Sequence, residues 1–154
     1  MSEEERGTRD ERTRRGTRDE GRETKKNMTA PKRINSVRDL EVYKLAFETA
    51  MEIYCVSRNF PTDEKYSLTD QIRRSSRAVC ANLSEGWRKR RYKAVFINKL
   101  SDSAQEAAET QTWLEFALKC GYIDDEVFHK LDEQYEHIFA MLNTMEKKAD
   151  AFCR

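Results

Sequence analysis

The sequence predicts an all-α protein, an antiparallel up-down-up-down four-helix bundle preceded by a disordered, charged N-terminal tail. Three observations carry this expectation. From residue 34 onward, apolar residues recur at steps of three and four through four segments, the period of helices that bury one face. The connections between these segments are short, which makes consecutive helices antiparallel neighbours. β-branched residues never alternate with polar ones over a useful length, so strand signals are missing.

The tail, residues 1–33, differs sharply from the rest. Its only apolar residues are Met1, Met28 and Ala30, so it cannot bury enough surface to offset its ordering entropy. Arg6-Gly7-Thr8-Arg9-Asp10-Glu11 recurs as Arg15-Gly16-Thr17-Arg18-Asp19-Glu20. Two copies without a hydrophobic face cannot stack as a solenoid. Eleven basic residues against eight acidic ones leave the tail at plus three. The interleaved acids argue against a strong electrostatic arm for RNA or DNA, and a solvated tail is the expectation. Met28, just before the folded part, offers an alternative start, with the residues before it as an upstream extension.

The domain expected at 34–154 is long enough to close a core without staples. Its first helix is expected at about 37–59, with Leu40, Tyr43, Phe47, Ala50, Tyr54 and Ser57 on one face. Ala46, Ile53, Val56 and Phe60 widen that face, as expected inside a bundle. Pro61 ends the helix, and residues 62–66 form a polar connection.

Ser67-Leu68-Thr69-Asp70 resembles a capping box with Asp in place of Glu, so the second helix starts there. Its stripe runs through Leu68, Ile72, Ser76, Val79, Leu83 and Trp87. The third helix, about 92–120, carries Ile97, Leu100, Ala104, Ala107, Gln111, Leu114 and Leu118. Its small residues Ser101, Ser103, Ala104, Ala107 and Ala108 would admit a neighbouring backbone. Gly121 is a natural left-handed C-cap. Asp124 N-caps the fourth helix, with Asp125 and Glu126 favourable in its first turn. That helix continues through Val127, Leu131, Tyr135, Ile138, Leu142 and Met145 towards Phe152.

No apolar run approaches the length of a membrane helix, and no hydrophobic h-region of a secretory signal opens the chain. The four cysteines, Cys55, Cys80, Cys120 and Cys153, are widely spaced without a C-x-x-C pair. They read as reduced thiols of a cytoplasmic protein, each expected to be buried as a small apolar residue.

A specific set of residues accompanies this pattern. Asp39-Leu40, Tyr43 and Ala46 open the first helix, and Phe60-Pro61 closes it. Tyr66, Leu68 and Gln71-Ile72-Arg73-Arg74-Ser75 follow, then Ala81-Asn82-Leu83-Ser84-Glu85-Gly86. Glu106 and Glu109 precede Trp113-Leu114, and Gly121-Tyr122-Ile123 marks the last turn. This ordered set resembles the four-helix bundle protein family first noticed in intervening sequences of large-subunit ribosomal RNA genes. Some of its members carry the label of a small-subunit ribosomal protein, and the Avd accessory factors of diversity-generating retroelements are related. The resemblance spans residue 39 to about residue 145. It implies a helical bundle that assembles into a homopentameric ring. Similarity to the retroelement members implies a basic surface that contacts RNA or DNA, and a reverse transcriptase as partner if the gene lies in a retroelement. The repeat tail is not part of the family pattern.

Charge in the domain is segregated. Residues 58–93 carry ten basic groups against four acidic ones, a net of plus six, whereas residues 94–154 carry six against twelve, a net of minus six. Residues 34–57 are net minus two. The densest cluster, Arg88-Lys89-Arg90-Arg91-Tyr92-Lys93, lies at the turn between the second and third helices. Such a patch attracts phosphates, and Trp87 and Tyr92 flank it for base stacking. Arg73, Arg74 and Arg77 lie off the apolar stripe and would extend it along the helix. The competing reading is local: cations at a helix C-terminus meet the macrodipole, and Glu85–Lys89 is a well-oriented i, i+4 pair. The two oppositely charged segments could also neutralise each other between subunits.

Asn82-x-x-Glu85-Gly86 is read as architecture, with Gly86 allowing close packing and Asn82 and Glu85 fixing neighbouring backbone or arginine groups. Glu126-x-x-His129 is the only Glu-x-x-His pair, because His137 has Gln134 three residues before it, so a di-iron site is not expected. Two histidines leave little room for a transition metal. No Gly-rich phosphate loop and no nucleophile elbow are present. The expectation is a non-catalytic protein without cofactor or metal that binds nucleic acid through the basic corner. The alternative is a structural or protein-interaction oligomer.

Overall fold

The computed structural model describes residues 32–153 together with Ala30. The expected disorder of residues 1–33, and the repeats within them, fall almost wholly outside the described residues. Among the described residues there is no strand, and the helices lie within one compact unit, Arg33–Arg154. Four long helices form it: α1 (Glu41–Ser57), α2 (Leu68–Arg88), α3 (Lys93–Lys119) and α4 (Asp125–Lys147). A single further turn, α5 (Ala149–Phe152), follows. Each long helix packs on the next, and α4 closes back on α1. Cross-helix bonds pair Ser75 with Thr110, Val79 with Ser103 and Glu85 with Lys99, so α2 and α3 run antiparallel. The bundle is the predicted one.

The helix ends differ from expectation in three places. Residues 37–59 are not one helix. Val37–Asp39 is a 3-10 turn with a capping box between Ser36 and Asp39, and Leu40 is extended before α1 begins. Ser67 makes no side-chain cap on α2. The Glu64 carboxylate, presented by a 3-10 turn at Thr62–Glu64, accepts from the Leu68 N–H at 3.0 Å instead. The fourth helix, expected to continue towards Phe152, ends at Lys147, and the separate turn α5 carries Phe152. The start of α4 and the end of α3 are as predicted. Asp124 Oδ1 accepts from the Val127 N–H at 2.8 Å. Gly121 has φ +77°, with Gly121 N–H on the Leu118 carbonyl and Tyr122 N–H on the Ala117 carbonyl. This is the Schellman arrangement, which needs a residue free of the left-handed penalty.

The core stripes of α2 and α4 are the predicted ones, except that Val127 is only half-buried. Those of α1 and α3 are rotated. On α1 the buried residues are Val42, Ala46, Thr49, Ala50, Ile53 and Ser57, while Phe47 is 52% exposed and Tyr43 and Tyr54 are half-buried. On α3 they are Phe96, Leu100, Ser103, Ala107, Thr110, Leu114 and Ala117. Ile97, Ala104 and Leu118 flank that face, and Gln111 is half-buried and bonds Asp132 and Glu136 on α4. The physical reason is hydroxyl self-satisfaction. Thr49 Oγ1 donates to the Leu45 carbonyl and Thr110 Oγ1 to that of Glu106, as does Ser57 Oγ, on the expected face, to that of Tyr54. Small polar residues so bonded are buried at little cost, leaving larger apolar ones outside.

Three of the four cysteines also depart from expectation. All are free thiols, but only Cys80 is buried; Cys153 is half-buried, and Cys55 and Cys120 are exposed. Cys55 lies opposite the core face of α1, and Cys120 caps the end of α3. Burial raises the Cys80 pKa to about 11, because a thiolate is disfavoured in apolar surroundings.

Candidate nucleic-acid interface

The basic corner is the tight turn that closes α2 and opens α3. Gly86 permits it. A Cβ built there would stand 2.9 Å from Lys99 Cβ and 3.8 Å from the Phe96 carbonyl oxygen, so only glycine lets the helices approach this closely. Ser103 Oγ on the Val79 carbonyl at 3.0 Å continues the same close seam. Ser101 and Ala108, expected beside it, face solvent. Beyond Gly86, the Lys89 N–H bonds the Glu85 and Gly86 carbonyls, and the Tyr92 N–H bonds that of Lys89 at 2.8 Å. The backbone therefore turns within four residues and holds six cationic or aromatic side chains at one end of the bundle.

The side chains there are not equivalent. Arg88 and Lys89 are exposed and make no ion pair with any described residue. Arg90 folds back: Nη1 donates to the Trp87 carbonyl at 2.8 Å, and its guanidinium lies 4.2 Å from the Trp87 ring centre. That is the favourable meeting of a cation with a helix C-terminus, joined to a cation–π contact. Arg91 lies over Tyr92 at 4.9 Å. Lys93 is ion-paired with Asp150 of α5 at 2.7 Å, and this hydrogen bond raises its pKa.

Trp87 does not offer the stacking face expected of it. It is 8% exposed, covered by Arg90 and met edge-on by Phe152, which also packs on Phe96. Tyr92 is half exposed, with Arg91 against its ring. Residues of α5 thus belong to this corner. Periodicity carries the fourth helix's stripe towards Phe152, but no local signal places Phe152 or Asp150 at this corner, because their contacts cross more than fifty residues.

The structure separates Arg73, Arg74 and Arg77 from the corner. Arg77 and Arg88 are about 16 Å apart along the helix axis, with uncharged Ala81 and Ser84 between them. Arg73 Nε donates to Ser57 Oγ at 2.8 Å, and the Arg73 and Arg77 guanidinium groups lie over Tyr54 of α1 at 4.9 and 5.8 Å. Arg74 pairs with Asp70 at 3.7 Å. Glu85 does not pair with Lys89 or an arginine: its carboxylate meets Lys99 Nζ at 2.7 Å. Asn82 is half-buried on the flank of α2. No cluster of His, Cys, Asp or Glu able to hold a metal occurs among the described residues. No helix among them is long and apolar enough to cross a membrane.

Residues 38–144 match the model of a family described as 23S rRNA-intervening sequence protein. The matched span runs from the first turn almost to the end of α4 and includes the whole corner except Asp150 and Phe152. Among solved structures, the chain is similar to a crystal structure from Bacteroides thetaiotaomicron of a protein of unknown function in the S23 ribosomal protein family. The two are 28% identical with a TM-score of 0.62, over 69% of this chain and 95% of that one. No curated protein matches the chain.

Proposed function

The chain belongs to the 23S rRNA-intervening sequence protein family, and from that premise we propose that it is a non-catalytic accessory protein of the cytoplasm that binds RNA or DNA through its basic corner. One observation carries the reading. Arg88 and Lys89 project from a rigid turn without an acidic partner among the described residues, beside Arg90 and Arg91, whose guanidinium groups are held on aromatic rings. Cations held in place by packing contact phosphates with little further loss of side-chain entropy. Such contacts position a backbone without reading its sequence. A reverse transcriptase is the further partner if the gene lies in a retroelement. The test is a binding titration with structured RNA and with duplex DNA across salt concentrations. Affinity that falls as salt rises supports the reading, and no binding even at low salt removes it.

The second reading is a structural or protein-interaction homo-oligomer, with a pentameric ring as the expected assembly and no nucleic-acid role. Exposed Phe47, Met51 and Phe116 on the sides of the bundle favour it. Self-assembly by itself is compatible with the first reading, since an oligomer would multiply the number of basic corners available to one nucleic acid.

A further inference from the structure

The short turn α5 lies against the basic corner and is not a continuation of α4. The backbone leaves the helix at Lys148, with φ −103° and ψ 23°, and turns again from Ala149. Ala149 is buried and roots the turn against α3. From that root two side chains reach the corner. Asp150 places its carboxylate 2.7 Å from Lys93 Nζ, with both side chains exposed. Phe152 is half-buried, packed on Phe96 and edge-on to Trp87. At the next residue, burial raises the Cys153 thiol pKa while the charges of Lys93 and Arg90 oppose the rise, so the turn runs among the cations of the corner. A carboxylate on Lys93 occupies the position that a phosphate oxygen would take there.

We propose that α5 is a displaceable strap that holds Lys93 out of the interface, its Asp150 carboxylate keeping the place of a phosphate until a nucleic-acid backbone expels it. This inference rests on the nucleic-acid reading above and assigns the regulation of that site. Two features make the strap easy to lift. An ion pair between exposed side chains contributes little and weakens as salt rises. The backbone bonds of the turn, Ala151 N–H on the Lys148 carbonyl and Cys153 N–H on the Ala149 carbonyl, are local and move with it, so the tether to the corner is the Phe152 ring. A free phosphate gains little by displacing Asp150 from one lysine. A nucleic acid already held by Arg88, Lys89 and Arg91 presents its next phosphate at high effective concentration. The strap therefore yields to a polyanion and resists a small anion.

The test is titration of the full chain with structured RNA and with duplex DNA over a range of salt. Wild type is compared with Asp150→Asn, Phe152→Ala and Glu146→Gln, and circular dichroism checks that every variant is folded. Glu146 is exposed near the end of α4, so Glu146→Gln removes the same charge without freeing Lys93. We expect Asp150→Asn to bind at least roughly threefold more tightly at low salt. In the wild type, salt also loosens the Lys93–Asp150 pair that must break, which offsets the salt cost of the Lys93 contact. Asp150→Asn removes that offset and should steepen the dependence of log affinity on log salt by up to roughly 0.7 to 0.9. Phe152→Ala, at unchanged charge, should shift affinity in the same direction. In a Lys93→Gln chain the gain from Asp150→Asn should vanish, because no cation is left to free. An equal gain from Glu146→Gln, or no gain from Asp150→Asn in a chain that binds, overturns the strap and leaves the nucleic-acid reading standing. No binding by wild type or any variant, even at low salt, removes that reading and the inference with it.

Discussion

Gly86 and Lys99 set the distance between α2 and α3: a Cβ on the glycine would stand 2.9 Å from the lysine Cβ. The obstructing atom sits at the root of the lysine side chain, so it moves only if α3 moves. Gly86→Ala gains up to about 1 kcal/mol of helix propensity but overpacks the seam, which typically costs about 1–3 kcal/mol. The expected outcome is a lower melting temperature. A raised one would show that the two helices separate freely at this point.

Asp132 supplies a pH signature. Its carboxyl pKa is raised by burial and by Glu136, against the opposing hydrogen bond from Gln111. A carboxyl raised in the folded state binds its proton more readily there than in the unfolded chain, so folding is strengthened as pH falls through the folded value. Asp132→Asn should therefore melt above wild type at pH 7, with the difference closing once both states are protonated. Equal melting at pH 7 would contradict the assigned sign.

Cys80 should be the slowest of the four cysteines to alkylate. With a pKa of about 11 and a buried position, it offers little thiolate at pH 8. Mass spectrometry after timed iodoacetamide treatment of the native protein reads the order. Early modification of Cys80 would mean that the core opens at the α2 seam.

The bundle was legible because its signals are local and periodic. Asp124 and Gly121 terminate helices by rules that act within a few residues, and the stripes of α2 and α4 are predominantly apolar. The faces of α1 and α3 lie about one position from expectation at Tyr43, Phe47 and Tyr54 and at Ile97, Ala104 and Gln111, because Thr49 and Thr110 satisfy their hydroxyls on carbonyl groups and enter the core. A pattern that counts only large apolar residues passes over them. At the candidate site, the cluster Arg88–Lys93 was visible as composition. The partners that differentiate its members were not: Asp150 on Lys93, Lys99 on Glu85 and Phe152 on Trp87 are contacts made by the fold.

Residues 1–33 are expected to be dispensable for folding. A chain beginning at Ile34 should keep the helical circular dichroism and the melting transition of the full protein. A large loss of either would show that the tail packs on the bundle.

The most direct test of the nucleic-acid reading replaces Arg88, Lys89, Arg90 and Arg91 together with Gln and measures binding to RNA and DNA over a range of salt. The account predicts a sharp loss of affinity, little change in sequence preference, and a flatter dependence of log affinity on log salt. Each lost phosphate contact should remove roughly 0.7 to 0.9 from that slope. Arg90 also bonds the Trp87 carbonyl, so the variant should melt somewhat lower as well, which is why the salt slope and not the affinity alone decides. Unchanged slope and affinity, with only the melting temperature lowered, would contradict the account and leave the corner as a helix cap.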